Sequence, residues 1–156
     1  MNQRPTITIE SESEAATIRL GQKLAGLARD RDVITLDGYL GTGKTVFARA
    51  FISALGGGPE VPSPTFTLLQ TYQSEKGDLH HFDLYRLDGP DDVLELGLED
   101  CLDSGITLIE WPDRLGDRLP RNRLQIHFEM AANEDGRHIY LTGQGPWPER
   151  LEQLHG

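Results

Sequence analysis

An apolar strand, a glycine-rich turn and an amphipathic helix follow one another between Val33 and Leu55, and they predict an α/β domain built around a phosphate-binding loop. Two further observations support that class. Ile106–Ile109 is a second short apolar run, and it is closed by an acid, Glu110. Leu124–Met130 and His138–Thr142 flank the turn Asn133–Gly136, which predicts a late β-hairpin.

The remaining elements follow from local pattern. Thr6–Glu10 alternates and is rich in β-branched residues, which reads as a short strand. Ser11 and Glu14 stand at capping-box spacing before a helix reaching about Arg29, with Ile18, Leu20, Leu24 and Leu27 on its buried face. Val33–Asp37 suits a buried strand. The helix after the glycine turn runs from near Gly43 to Leu55, with Phe47, Phe51, Ala54 and Leu55 at helical spacing, and Gly56–Gly58 stop it. Val61–Thr65 carries two prolines and reads as a shaped loop. Phe66–Tyr72 and Leu79–Leu87 read as strands joined by the turn Glu75–Asp78. Pro90 opens a helix reaching about Leu102, on whose apolar face Cys101 reads as a small core residue. Gln144–Gly156 contains two prolines and reads as a peripheral tail of a single domain spanning residues 1–156.

Composition bounds the function. The 15 basic and 25 acidic residues give a net charge of −10, which argues against a surface that neutralises nucleic-acid phosphates directly. No apolar run approaches a membrane span, and the N-terminal stretch lacks the apolar centre of an export signal. The single cysteine excludes an internal disulfide, and together these features predict a cytoplasmic protein.

The segment Gly38-Tyr39-Leu40-Gly41-Thr42-Gly43-Lys44-Thr45 matches G-x-x-x-x-G-K-[ST] at every fixed position. Glycines let successive backbone N–H groups turn inward around an anion, and the following helix adds its positive dipole end. Lys44 is placed to reach the β- and γ-phosphates, and the Thr45 hydroxyl to ligate Mg²⁺. Such a site also needs carboxylates. Glu110 ends its strand where ligands meet open α/β sheets, and Asp83 lies in the strand-like His80–Tyr85, where a charge must be used or paired. Sequence leaves open which acid holds the metal and which polarises water. His80 and His81 are adjacent and point to opposite faces of a strand, so they form no metal site between them, and both read as packed or solvated.

The pieces LDGYLGTGKTVFAR, VPSPTFTLLQTY, HFDLYRL, LELGLEDCL and LIEWPDR stand in the order seen in the TsaE (YjeE) family, and together they cover about Val33 to Arg114. The later GRHIYLTG resembles that family's C-terminal hairpin. The resemblance implies a P-loop NTPase-like fold with a mainly parallel sheet flanked by helices. It implies ATP and Mg²⁺ as ligands, weak hydrolysis by the isolated protein, and activation within a complex that makes threonylcarbamoyladenosine in tRNA. The implied partners are TsaD, which transfers the carbamoyl group, and TsaB, with tRNA reached only through them. Carried over by motif, Gly41, Thr42, Gly43, Lys44, Thr45 and Val46 bind ATP, and Thr45 and Glu110 hold the metal. Asp83 is a further catalytic acid, Ser63 and Thr65 lie in a switch-like loop, Trp111 supports Glu110, and Glu14 and Arg137 contact the nucleoside end. The chain departs from the family at Tyr39, usually acidic, and at Ala50, often glycine.

Two other functions are compatible with the same motifs. One is a small-molecule or nucleotide kinase, for which Arg114, Arg118, Arg121 and Arg123 would supply a cationic lid. The other is a nucleotide switch without useful hydrolysis.

Overall fold

The computed structural model describes residues 6–39, 42–57, 60–61, 69–85, 97–132 and 136–155. Among the described residues eight strands form one sheet: β1 (Thr6–Ser11), β2 (Val33–Asp37), β3 (Glu60–Val61), β4 (Leu69–Ser74), β5 (Gly77–Asp83), β6 (Ile106–Glu110), β7 (Leu124–Met130) and β8 (Arg137–Gly143). Helices α1 (Glu14–Leu27), α2 (Lys44–Ala54), α3 (Leu98–Leu102) and α4 (Trp147–Leu151) accompany it.

The strand order is β1-β8-β7-β2-β6-β5-β4-β3. The four central strands, β7-β2-β6-β5, are parallel. Both flanks are antiparallel, because β7–β8 and β4–β5 are hairpins and β1 adds to β8. The sheet is therefore mixed around a parallel core. That core is what matters for a ligand, since its strands bring their C-terminal ends to one edge.

Each central strand is apolar on both sides because both faces are covered. On one face Ile34, Leu36, Ile106 and Leu108 join Leu24 of α1 and Phe47 and Phe51 of α2 in the larger core. On the other, Val33, Phe82 and Ile109 pack with Leu98, Cys101 and Leu115. Burial pushes the Cys101 thiol up to about 11, so it stays protonated and inert.

The boundaries depart from the sequence reading at several points. The N-cap of α1 is Ser13, whose side chain accepts from the Ala16 N–H. Ser11 is drawn into β1 instead, and its hydroxyl bonds the Ser13 carbonyl and Thr17. Helix α1 ends at Leu27, where the Lys76 ammonium donates to the carbonyls of Ala25, Gly26 and Ala28, a cap supplied from the β4–β5 turn. Ala54 is exposed, and Ala48 and Ile52 fill the α2 face in its place. Strand β5 stops at Asp83. The segment after Gly143 is not peripheral: Trp147 and Leu151 are each 1% exposed and belong to the larger core. They pack with Ile139 and Leu141 of β8 on the antiparallel flank. The loop after Val61, Phe66–Leu68, the helix start at Pro90 and the hairpin turn at Asn133 lie outside the described residues.

Candidate nucleotide site

Strand β2 delivers the chain to the loop, and α2 takes it away. Gly38 turns at φ 137°, and a Cβ there would lie 2.6 Å from the Phe128 carbonyl, so only glycine fits between β2 and β7. Gly43 is the N-cap of α2 in left-handed conformation, φ 103°, a second turn that favours glycine. Between them, Thr42 folds inward: its N–H and hydroxyl both bond the Tyr39 carbonyl, and its own carbonyl accepts from Arg137 Nε at 3.0 Å. Thr42 is buried and serves the loop through both its backbone and its hydroxyl.

Lys44, the first residue of α2, is 4% exposed. Its ammonium donates to the Gly38 carbonyl at 2.6 Å and lies 3.6 Å from the centre of the Trp111 ring. Burial lowers its pKa, and the charges of Glu110, Asp83, Asp37 and Asp113 pull the other way without cancelling it. An ammonium has three N–H groups, so the bond to Gly38 leaves two for another acceptor.

The carboxylates arrive from the sheet. Asp83 and Glu110 pair in register as the last residues of β5 and β6. Alternation puts Glu110 on the same side as Ile106 and Leu108, the side covered by α2. Glu110 is 7% exposed and its carboxylate meets His81 Nε2 at 2.7 Å. Asp83 is exposed, with its carboxylate accepting from the Tyr85 N–H. Trp111 follows Glu110 in a left-handed conformation rare for a non-glycine residue, φ 62°. Its N–H bonds the Leu36 carbonyl, and its ring packs 4.9 Å from that of Tyr85.

These residues converge on one cleft of about 370 Å³ lined by Gly43, Lys44, Thr45, Val46, Asp83, Glu110, Trp111 and Tyr85, with Glu14 and Arg137 at one end. A narrower extension between α1 and the start of α2 adds Thr17 to Glu14, Gly43, Val46 and Arg137. The structure thus brings together nine of the residues singled out in the sequence and leaves Thr42 behind the cleft wall. Gly41, Ser63 and Thr65 lie outside the described residues.

Sequence reasoning missed His81 and Tyr85. The available signal was strand periodicity: both stand two positions from Asp83, His81 within β5 and Tyr85 just past its end. His80 faces the other way, as expected, and meets the Thr71 hydroxyl at 3.3 Å through Nδ1. Burial lowers its pKa despite Asp78 and the Ser104 backbone.

The donors suit a hard cation. Among the described residues the cleft offers oxygen from Thr45, Asp83 and Glu110, with neither thiolate nor imidazole in its lining. Among the described residues no group of three or more His, Cys, Asp or Glu side chains forms a metal cage.

A parallel core, a glycine turn opening α2, and two acids on neighbouring strand ends define a P-loop NTPase-like protein. Comparison with known proteins narrows the class. The family described as "Threonylcarbamoyl adenosine biosynthesis protein TsaE" matches residues 11–139, and the chain belongs to that family. It is similar to the Bacillus subtilis protein named tRNA threonylcarbamoyladenosine biosynthesis protein TsaE, 37% identical over 155 residues, covering 99% of this chain and 92% of that one. A Rickettsia conorii protein of the same name is 38% identical over 127 residues, covering 81% and 71%. The crystal structure of Bacillus subtilis YdiB superposes with a TM-score of 0.80 at 30% identity, covering 99% of this chain and 97% of that one.

Proposed function

We propose that this protein binds ATP with Mg²⁺ and hydrolyses it in support of threonylcarbamoylation of adenosine in tRNA. The observation that carries the reading is the convergence of Lys44, Thr45, Asp83 and Glu110 on one cleft at the N-terminus of α2. The pathway follows from family membership and from the names of the relatives.

Each group has a task set by its chemistry. Main-chain N–H groups at the start of α2 and the Lys44 ammonium bind the phosphate tail. Thr45 and Glu110 would hold Mg²⁺, which neutralises charge on the phosphate oxygens when bound. Asp83, at the adjoining strand end, orients the attacking water and accepts hydrogen bonds from it. The extension between Glu14 and Arg137 takes the nucleoside end. Trp111 ties the acid-bearing strand to Lys44, so phosphate contact is felt at Glu110's neighbour.

The partners of this reading are a TsaD-like carbamoyltransferase and a TsaB-like protein, and tRNA is approached only through them. The net charge of −10 supports that division. The setting is cytoplasmic, and no helix among the described residues is long and apolar enough to cross a membrane. The kinase alternative would draw on Arg114, Arg118, Arg121 and Arg123, of which Arg123 donates to the carbonyls of Pro120 and Arg121.

The test is phosphate release from ATP by the purified protein, with Mg²⁺ or with chelator, alone and with TsaD and TsaB, alongside Lys44→Ala. Mg²⁺-dependent release that rises with the partners and is lost in Lys44→Ala is expected. No release under any condition would leave the non-hydrolysing switch, and transfer to a small acceptor would restore the kinase.

A further inference from the structure

We infer that His81 is a positioning residue for Glu110, and through it for the metal site; the inference deepens the Mg²⁺–ATP reading above and rests on it. Strands β5 and β6 are parallel neighbours in which His81 pairs with Leu108 and Asp83 with Glu110. Paired residues share a face, and so do residues two apart. His81, Asp83 and Glu110 therefore stand on one side of the sheet, the side on which α2 carries Lys44 and Thr45.

The contact itself is close and dry. His81 Nε2 lies 2.7 Å from Glu110 Oε2, with the two side chains 13% and 9% exposed. A carboxylate this buried requires a donor. Among the described residues His81 is its one hydrogen-bond partner. An ionised carboxylate only accepts, so the imidazole proton sits on Nε2. One carboxylate oxygen is thereby committed and the other is left for the cation or its water. Glutamate has a long, freely rotating stem, and a hydrogen bond at one oxygen restrains the plane in which the second is presented. Partners of this kind orient a metal's ligands and commonly change metal affinity about 10–100-fold when removed. His80, one residue earlier, serves β4 on the opposite face, so the two histidines divide structure from site.

The experiment measures Mn²⁺ affinity by electron paramagnetic resonance in the presence of a non-hydrolysable ATP analogue. It compares wild type, His81→Ala and His81→Gln, whose amide nitrogen replaces Nε2. Affinity for the same analogue in chelator and thermal unfolding are recorded for each. His81→Ala should weaken Mn²⁺ about 10–100-fold while leaving metal-free analogue affinity unchanged, and His81→Gln should recover most of the loss. Should His81→Ala fail to fold, His81→Asn replaces it, since its amide ends short of Glu110. Wild-type Mn²⁺ affinity in His81→Ala overturns the inference. So does an equal loss in His81→Gln, or a loss that appears equally without metal. Wild-type protein that binds neither Mn²⁺ nor analogue overturns the Mg²⁺–ATP reading as well, and is told apart because it does not depend on position 81.

Discussion

Asp83 and Glu110 face each other across one parallel ladder as the last residues of β5 and β6, yet Glu110 is 7% exposed and Asp83 lies open to solvent. The same register position thus gives two carboxylates of different character. The buried one is held by His81 and is suited to a fixed task such as metal coordination. The exposed one, whose carboxylate accepts from the backbone N–H of Tyr85, can meet water. Glu110→Gln should therefore raise the Mg²⁺ concentration needed for half-maximal turnover. Asp83→Asn should lower the maximal rate about a hundredfold with little change in metal dependence. Steady-state hydrolysis across a Mg²⁺ series checks both, and identical profiles for the two variants would reject the division.

Lys44 and Trp111 give a signal that requires no turnover. The ammonium sits 3.6 Å from the indole centre, and the phosphate oxygens of a bound nucleotide would compete for it. ATP binding should change tryptophan emission, and Trp111→Phe should abolish the change. Trp147, the other tryptophan, is 1% exposed and provides a constant background. Lys44→Ala should weaken ATP binding about 10–100-fold, the range of one charge-assisted hydrogen bond, with the emission change lost. An unaltered titration in Trp111→Phe would remove the coupling between the two residues.

His127 predicts a pH dependence of stability. Burial lowers its pKa, but hydrogen bonds to Asp37 and Glu129 and the charges of those two carboxylates outweigh that effect and raise it overall. A folded pKa above the unfolded value stabilises most below about pH 6.5. That contribution is lost as pH rises through the folded value. The melting-temperature gap between wild type and His127→Gln should therefore be wider near about pH 6 than near about pH 8.5. A gap that is constant or grows with pH would contradict the assignment. All three groups are near half exposed, so the effect is modest and should shrink in salt.

Legibility in the sequence followed the range of the interaction. Val33–Asp37 and α2 were readable because glycine chemistry, apolar periodicity and the G-x-x-x-x-G-K-[ST] spacing are local and agree with one another. Glu110 was readable because an acid at the end of an apolar strand is conspicuous. The cap of α1 misled because Ser11 and Ser13 both offer a hydroxyl, and pairing of Ser11 with Arg137 in β1–β8, a tertiary event, decided between them. His81 was hidden because its role depends on Glu110, 29 positions away, and only the β5–β6 register joins them. The hairpin β7–β8 and the strand Thr6–Glu10 were legible as elements because their patterns are local, but the addition of β1 to β8 joins residues across the chain and leaves no local signal.

The C-terminal segment carries the last prediction. Two prolines in Gln144–Gly156 suggest a loose tail, but Pro146 and Pro148 flank Trp147 at the start of α4, where missing N–H groups cost nothing. A Cβ on Gly143 would lie 2.8 Å from Trp147 Cβ, so the glycine lets α4 close onto β8. The indole then fills the core beside Ile139 and Leu141, with Arg150 stacked on its outer face at 4.8 Å. Trp147→Ala should cost about 3–5 kcal/mol, a fall in melting temperature on the order of 10 °C for a chain of this size. Because α4 lines none of the nucleotide cleft, ATP affinity below the new transition should stay near that of wild type. Thermal unfolding and a nucleotide titration on the same sample check both. A melting temperature within about 2 °C of wild type, less than 1 kcal/mol here, would return the segment to the periphery.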